Sequence, residues 1–262
     1  MASTPRAGTR SRHATLLTLL GAGTTHVDEL ADRLGVSVST VRRDLERLKA
    51  DGQVARTYGG AMVTAPFHER PISESQRHAG PAKSAIARRA LELVPESGTV
   101  FIDAGTTCGA LARLLAASST HSDLTVVTRG LETAVALADA PDIELILLGG
   151  RVRKLSHGLV GPLTDLAIER LGFDAAFLGA DAVDPARGVG EPTLEETMVK
   201  ESVARVARLV AVLADSSKLE AGETPAWTHL PNPWRLITDT GAPADLDRRC
   251  AEAEVTLERA DH

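Results

Sequence analysis

The sequence predicts an α/β protein in two parts: an N-terminal winged helix-turn-helix head joined to a larger α/β body with a mostly parallel sheet. Three observations predict it. Short apolar runs alternate with helical patterns from about residue 99 onward, the sign of parallel strands joined by crossover helices. A helix, a glycine turn and a second helix follow one another at about 25–44. Charge divides along the chain: residues 1–60 hold nine Lys/Arg against six Asp/Glu, and the remainder holds 20 against 29. A basic head on an acidic body suggests that only the head meets a polyanion.

Composition narrows the class. The chain has 262 residues, 43% hydrophobic and 24% charged, with a formal net charge of −6. That is ordinary for a soluble globular protein. Aromatics make up only 3%, so the core must be built from Leu, Val, Ile and Ala. Cys108 and Cys250 have no CxxC spacing and no clustered histidines, which argues against a zinc site or disulfide framework. The opening residues lack the apolar run of a signal peptide, and no apolar stretch reaches about 18 residues. The expectation is a cytoplasmic protein with no metal, no cofactor and no membrane partner.

The head, residues 8–62, reads element by element. His13–Leu20 forms a first helix closed by Gly21-Ala-Gly23, which is no nucleotide loop because no strand precedes it. Thr25 or His26 caps a second helix, Val27–Leu34, with Asp28 and Glu29 in its first turn, where the dipole favours anions. Gly35 ends it in a left-handed conformation. Ser37 or Ser39 starts the third helix. Its apolar residues Val38, Val41, Leu45 and Leu48 share one face; Ser39, Thr40, Arg42 and Arg43 fall mainly off that stripe. Arg forks and hydroxyls can read guanine and phosphate in a major groove. An amphipathic helix with a solvated basic face gives the same pattern. Asp51-Gly52 turns the chain into a hairpin wing ending at Gly59-Gly60, with Arg56 placed to touch phosphate or simply solvated.

The stretch VSVSTVRRDLERLKADGQVARTYGGA resembles the DNA-binding head of the DeoR family of bacterial transcription regulators. Ser37, Thr40, Val41, Arg42, Arg43, Asp44, Leu45, Gly59, Gly60 and Ala61 carry the match. The resemblance implies that Ser37, Ser39, Thr40, Arg42 and Arg43 face a double-stranded operator. Asp44, which would repel phosphates, is expected to pair with an arginine.

Residues 63–80, with Pro66 and Pro71 and no clear period, read as a linker in which Phe67 anchors the connector. The body, 81–262, begins with a helix at Lys83–Val94. Strands are expected at Thr99–Asp103, Leu124–Thr128, Ile143–Leu148, Ala175–Leu178, Leu209–Ala214, Arg235–Thr238 and Glu254–Leu257, with helices at 107–117, 131–140, 163–171, 193–207 and 243–253.

Nearly every strand ends in small or polar residues, and ligands of open α/β sheets bind at the carboxyl ends of strands. Gly105-Thr106-Thr107, where a strand enters a helix, offers N–H groups and hydroxyls to a phosphate. Gly149 and Gly150 allow close backbone approach. Arg151 and Lys218 supply positive charge, and Asp103 and Asp181 supply acceptors for sugar hydroxyls. Taken singly, each of these residues has an ordinary capping or surface role.

The body also resembles the DeoR-family effector domain, through Ile102-Asp-Ala-Gly-Thr-Thr107, Val127-Thr128, Leu148-Gly-Gly-Arg151, Gly158 and Gly161, Leu178-Gly-Ala180, the stretch from Glu195 to Lys200, and Ala214-Asp-Ser-Ser-Lys218. That resemblance implies a fold like the sugar-phosphate isomerases and a phosphorylated sugar or related metabolite as effector. It also implies a repressor of a carbohydrate operon working as a dimer or tetramer. Arg129 stands where the family usually has Asn and is expected to add a phosphate contact. Leu219 replaces a usual Phe, and 220–233 diverges. The competing class is a sugar-phosphate isomerase with a fused head, using Asp181, Asp184 or Glu191 as a proton shuttle.

Overall fold

A computed structural model describes residues 12–13, 15–16, 18–20, 26–50, 55–57, 60–62, 69–121, 123–219 and 224–261. The chain divides into two compact units, Met1–His68 and Glu69–His262.

In the first unit the described residues among 12–20 are helical. Helix Val27–Leu34 ends on Gly35 at φ 61°, whose N–H reaches the carbonyls of Ala31 and Asp32. This is the left-handed stop expected of that glycine. Helix Val38–Ala50 follows. Ser37 caps it, its Oγ accepting the Thr40 N–H at 3.2 Å. Leu16, Leu20, Leu30, Ala31, Val41, Leu45 and Leu48 form one buried cluster, so the 3/4 spacing read along the helix is its packed face. Strands β1 (Ala55–Thr57) and β2 (Gly60–Met62) pair antiparallel as the wing. Thr25 and Phe67, assigned capping and anchoring roles from the sequence, lie outside the described residues.

The second unit is built on β3 (Gly98–Ile102), β4 (Leu124–Thr128), β5 (Ile143–Leu147), β8 (Ala175–Leu178), β11 (Val210–Leu213), β13 (Arg235–Asp239) and β14 (Thr256–Ala260). They form one sheet in the order β14-β13-β11-β8-β3-β4-β5, with every neighbouring pair parallel. These are the seven strands anticipated from the apolar runs. The boundary at Glu254–Leu257 moves to Thr256–Ala260. The five anticipated helices are Thr106–Ala116, Leu131–Leu137, Pro162–Ile168, Leu194–Val206 and Leu246–Glu252.

Strand alternation splits the core in two. Val100, Ile102, Phe177 and Leu213 point to one face, under the helices Gly80–Leu91 and Thr106–Ala116. Phe101, Leu178, Val212 and Leu236 point to the other, under helices 194–206 and 246–252. Burying both faces is what makes these strands continuous apolar runs.

Three features depart from the expected pattern. Residues 69–80, read as part of a linker, belong to the second unit: helix Ile72–Ser75 buries Ile72 there. A hairpin of β6 (Arg151–Val152) and β7 (Leu159–Val160) follows β5. A small antiparallel sheet joins β9 (Ala182–Asp184), β10 (Gly188–Glu191) and β12 (Ala226–Trp227). Strands of two to four residues are too short to show a period of two, so periodicity could not reveal them.

Strand order reverses between β3 and β8. From β3 the chain winds outward through β4 to β5; from β8 it winds the other way through β11, β13 and β14. The loops leaving β3 and β8 therefore diverge and leave a crevice between them, the usual ligand position in such sheets.

Phe177 is fully buried at the centre of this sheet. Phe177→Ala should cost about 3–5 kcal/mol of stability. Urea denaturation checks it, and a loss under about 1 kcal/mol would contradict the packing described.

Candidate functional site

The crevice at the switch point holds a cleft lined by residues 104–107 after β3 and 179–181 after β8. Its floor is the end of β3, where Asp103 has no solvent exposure. One carboxylate oxygen accepts from Arg129 Nε at 2.6 Å and from the Ala104 N–H at 2.7 Å. The other accepts from Lys200 and from the Gly179 N–H at 3.3 Å. Burial alone would push the Asp103 carboxyl up, but Arg129 and Lys200 outweigh it and hold the group down at about 2. The acceptor role expected of Asp103 toward a sugar is thus taken by the protein itself. Arg129 is also committed: buried, it pairs with Asp103 and stands 3.9 Å from Glu196. It lines the cleft with its charge already compensated, rather than as a free phosphate ligand.

One wall of the cleft is cationic. Gly105, at φ 106°, precedes helix 106–116, whose first turn has no side-chain cap. The first N–H groups of a helix have no intrahelical partner and favour an anion. Thr106 and Thr107 line the cleft there. Lys218 lines it too, paired with Asp181 at 3.0 Å. Two further cations join them. Lys83 is buried, its ammonium donating to the carbonyls of Ser75 at 2.6 Å and His78 at 2.8 Å. Burial pulls its pKa down; Asp215 opposes this, and Lys218 and Arg70 reinforce it. Arg70 lines the cleft with no ion-pair partner among the described residues.

The opposite wall is acidic. Glu191, Glu196 and Glu69 line it. Glu196 accepts from Arg153 at 2.6 Å, and Arg153 also holds Glu69 through two bonds at 2.7 and 2.8 Å. Lys200 stands 3.1 Å from Glu191 Oε1, an ion-pair distance. It lacks the angle of a hydrogen bond, and that oxygen accepts none. Burial pushes the Glu191 carboxyl up to about 8; Lys200 opposes this, and Asp181, Glu196 and Asp103 add to it.

Of the body residues singled out in the sequence, Gly105, Thr106, Thr107, Arg129, Asp181 and Lys218 meet in the cleft. Thr128, Gly149, Gly150 and Arg151 do not. Thr128 is buried and its hydroxyl caps the Gly130 N–H at 3.0 Å. Gly150 does permit close approach, but to the protein itself: a Cβ there would lie 2.4 Å from Thr164 Oγ1. Arg151 is exposed and pairs with Glu195. Lys83, Arg70, Glu69 and Glu196 were missed as site residues. Lys83 sits among alanines on a core-like helix, and nothing in one sequence marks it. Among the described residues no cluster of His, Cys, Asp or Glu could hold a metal, and no helix is long and apolar enough to cross a membrane.

In the head, Ser37, Ser39, Arg42 and Arg43 are exposed and Thr40 half-buried. Ser37 Oγ lies 2.9 Å from Ser39 Oγ and 2.8 Å from Thr40 Oγ1, so the three hydroxyls form one cluster at the helix start. Asp44 is buried beneath, bonded to Arg12 at 2.6 Å and His13 at 3.1 Å. Arg56 lies in β1, and its side chain is outside what is described.

Comparison with known proteins adds an independent line. A DeoR-like helix-turn-helix domain matches residues 12–66, and a DeoR C terminal sensor domain matches residues 79–240. The HTH-type transcriptional regulator GlpR of Haloferax volcanii is 35% identical over 88% of this chain and 89% of its own length. The glycerol-3-phosphate regulon repressor of Escherichia coli K12 is 32% identical over 75% of this chain and 77% of its own. Ribose 5 phosphate isomerase A of Neisseria gonorrhoeae aligns with a TM-score of 0.40 at 21% identity, over 53% of each chain. That likeness is too loose to carry weight, and the α/β assignment stands on the strand pairing above.

Replacing Asp103 with Asn would leave Lys200 and Arg129 short of a buried counter-charge, at a cost of about 3–5 kcal/mol at neutral pH. Asp103 ionises at about 2 in the folded chain against roughly 3.9 unfolded. Its contribution is therefore complete above about pH 4 and is lost as pH falls toward 2. The gap in urea stability between wild type and Asp103→Asn should narrow across that window; a constant gap would refute the pairing.

Proposed function

The chain belongs to the DeoR family of transcription regulators, and from that premise we propose that it is a repressor of a carbohydrate operon, released from DNA by a phosphorylated sugar or related metabolite. The observation that carries the effector half is the cationic wall of the cleft. An uncapped helix start at Thr106–Thr107 stands with Lys83, Lys218 and Arg70 at the sheet's switch point. Among the described residues buried Lys83 has carbonyl partners but no carboxylate at ion-pair distance, so a dianionic phosphate would complete its pairing. Relatives are named as regulators and repressors, one of them for a glycerol-3-phosphate regulon, which supports both repression and a phosphorylated effector. The chain is a regulator and not an enzyme, and the isomerase alternative is set aside.

In the head, the Ser37–Ser39–Thr40 cluster and the exposed Arg42 and Arg43 form the DNA face. Most of the affinity would come from phosphate contacts and fall steeply with salt. Helix-turn-helix heads commonly bind as dimers on half-sites one helical turn apart, so the working unit is a dimer or tetramer. Helices 162–168 and 194–206, which pack together, leave Leu163, Leu166, Leu194 and Met198 exposed, and these support self-association through the body.

Arg42→Ala/Arg43→Ala should abolish binding to DNA fragments selected by the wild-type protein while leaving ligand titrations unchanged. Loss of both activities together would indicate misfolding and undo this division of labour. Lys83→Met should weaken phosphorylated ligands by about 10- to 100-fold, the worth of a charge-assisted bond. Tryptophan fluorescence titration measures it, and an unchanged affinity would remove Lys83 from the site.

A further inference from the structure

The two walls of the cleft do not match in charge, and the mismatch sits at Glu191. Around the acidic wall four carboxyls, on Glu69, Asp103, Glu191 and Glu196, face three cations, on Arg129, Arg153 and Lys200. Asp103 takes two of the cations, and Glu196 and Glu69 share Arg153. Glu191 is left with part of Lys200. It is 3% exposed, lines the cleft, and its Oε1 accepts no hydrogen bond. The flanking strands bring it nothing: Ala182 of β9 and Ala226 of β12 lie beside its end of β10. Arg129, already bound to Asp103, faces it as well; the remaining charges are carboxylates, Glu196 from helix 194–206, Asp103 from the end of β3 and Asp181 from the loop after β8. A buried acceptor left unpaired is costly, so such a group is one that a ligand completes.

We propose that Glu191 determines which effector is chosen, its carboxyl receiving an ammonium group on the ligand, so that the preferred class is a phosphorylated amino sugar with a free amine. The proposal rests on the phosphate-binding reading of the cationic wall given above and extends it to the opposite wall. Near neutral pH the fourth carboxyl is balanced by the proton that burial keeps on Glu191. A sugar hydroxyl would supply a hydrogen bond and leave that proton in place, whereas an ammonium takes its position and supplies both the bond and the charge. The resulting ligand is anionic at one end and cationic at the other, as the cleft requires.

The test compares glucosamine 6-phosphate, glucose 6-phosphate and inorganic phosphate on the full chain, by calorimetry or by the fluorescence of Trp227, whose strand pairs with that of Glu191. The wild-type protein should prefer the amine by about tenfold or more, the worth of one charge-assisted hydrogen bond. Glu191→Gln keeps the shape and removes the charge. It should reduce that preference to near unity while leaving glucose 6-phosphate within a few-fold of wild type. The wild-type preference stands as a readout even if the variant is poorly folded. Equal binding of the two sugars, a preference that survives Glu191→Gln, or binding of phosphate with neither sugar would overturn the amine assignment while the phosphate end stands. Failure of all three compounds to bind would overturn the phosphate reading and this proposal with it.

Discussion

The carboxylate of Asp103 ties the ends of three neighbouring strands to a helix that crosses over them. It ends β3, accepts from Arg129 just after β4, from Lys200 in the middle of helix 194–206, and from the Gly179 amide just after β8. Sheet order makes this the one place where loops diverge, and diverging loops have no neighbouring strand to hold them. A buried charge holds them instead. The cost of desolvating three ions is large and is offset only where hydrogen bonds satisfy the lone pairs. Asp103 meets that condition with two cations and two backbone amides. The cleft therefore has a floor made of charge, in a domain whose core is otherwise apolar.

A floor of this kind also sorts the side chains above it. Asp103, Arg129 and Lys200 are bound to one another, so contacts with a ligand in the cleft would fall to the groups around them. The cationic groups gather where helix 106–116 and the 80–91 helix present Thr106, Thr107 and Lys83. The acidic groups gather on β10 and helix 194–206. This separation is a product of topology. The first wall is built from helices on one face of the sheet, the second from elements on the other.

Much of this was legible in the sequence, and the limits have physical causes. Doubly buried strands must be continuous apolar runs, so all seven sheet strands could be found. Strand ends that face a crevice must be small or polar, so Gly105–Thr107, Asp181 and Lys218 could be found as well. Polarity alone, however, does not say which strand end lies at the switch point. Gly149 and Arg151 have the same local character, yet β5 is an edge strand, and the hairpin after it reaches the cleft only through its turn, at Leu155 and Ser156. Charge does not announce its partner either. Arg129 looked like a ligand for phosphate because its partner Asp103 is 26 positions away. Lys200, 97 positions from Asp103, was visible only as part of a family motif. Pairings at such separation are fixed by the fold and cannot be read from local spacing.

The same network reaches the start of the body. Glu196 faces Arg129 at 3.9 Å on its cleft side and bonds Arg153 at 2.6 Å on the other, and Arg153 in turn grips Glu69. Glu69 is the first residue after the DNA-binding unit. A ligand cation placed against Glu191 or Glu196 would draw on the negative charge that Arg153 now shares with Glu69. The hold on Glu69 would then change without any movement of the sheet. Two ligands can influence one another only through a difference in interaction between two states, and an arginine shared by two carboxylates is a compact source of such a difference. On the proposed reading, effector chemistry and the grip on the connecting residue would meet on one guanidinium. Half-buried Arg153 is accessible enough to exchange partners and desolvated enough for the exchange to matter.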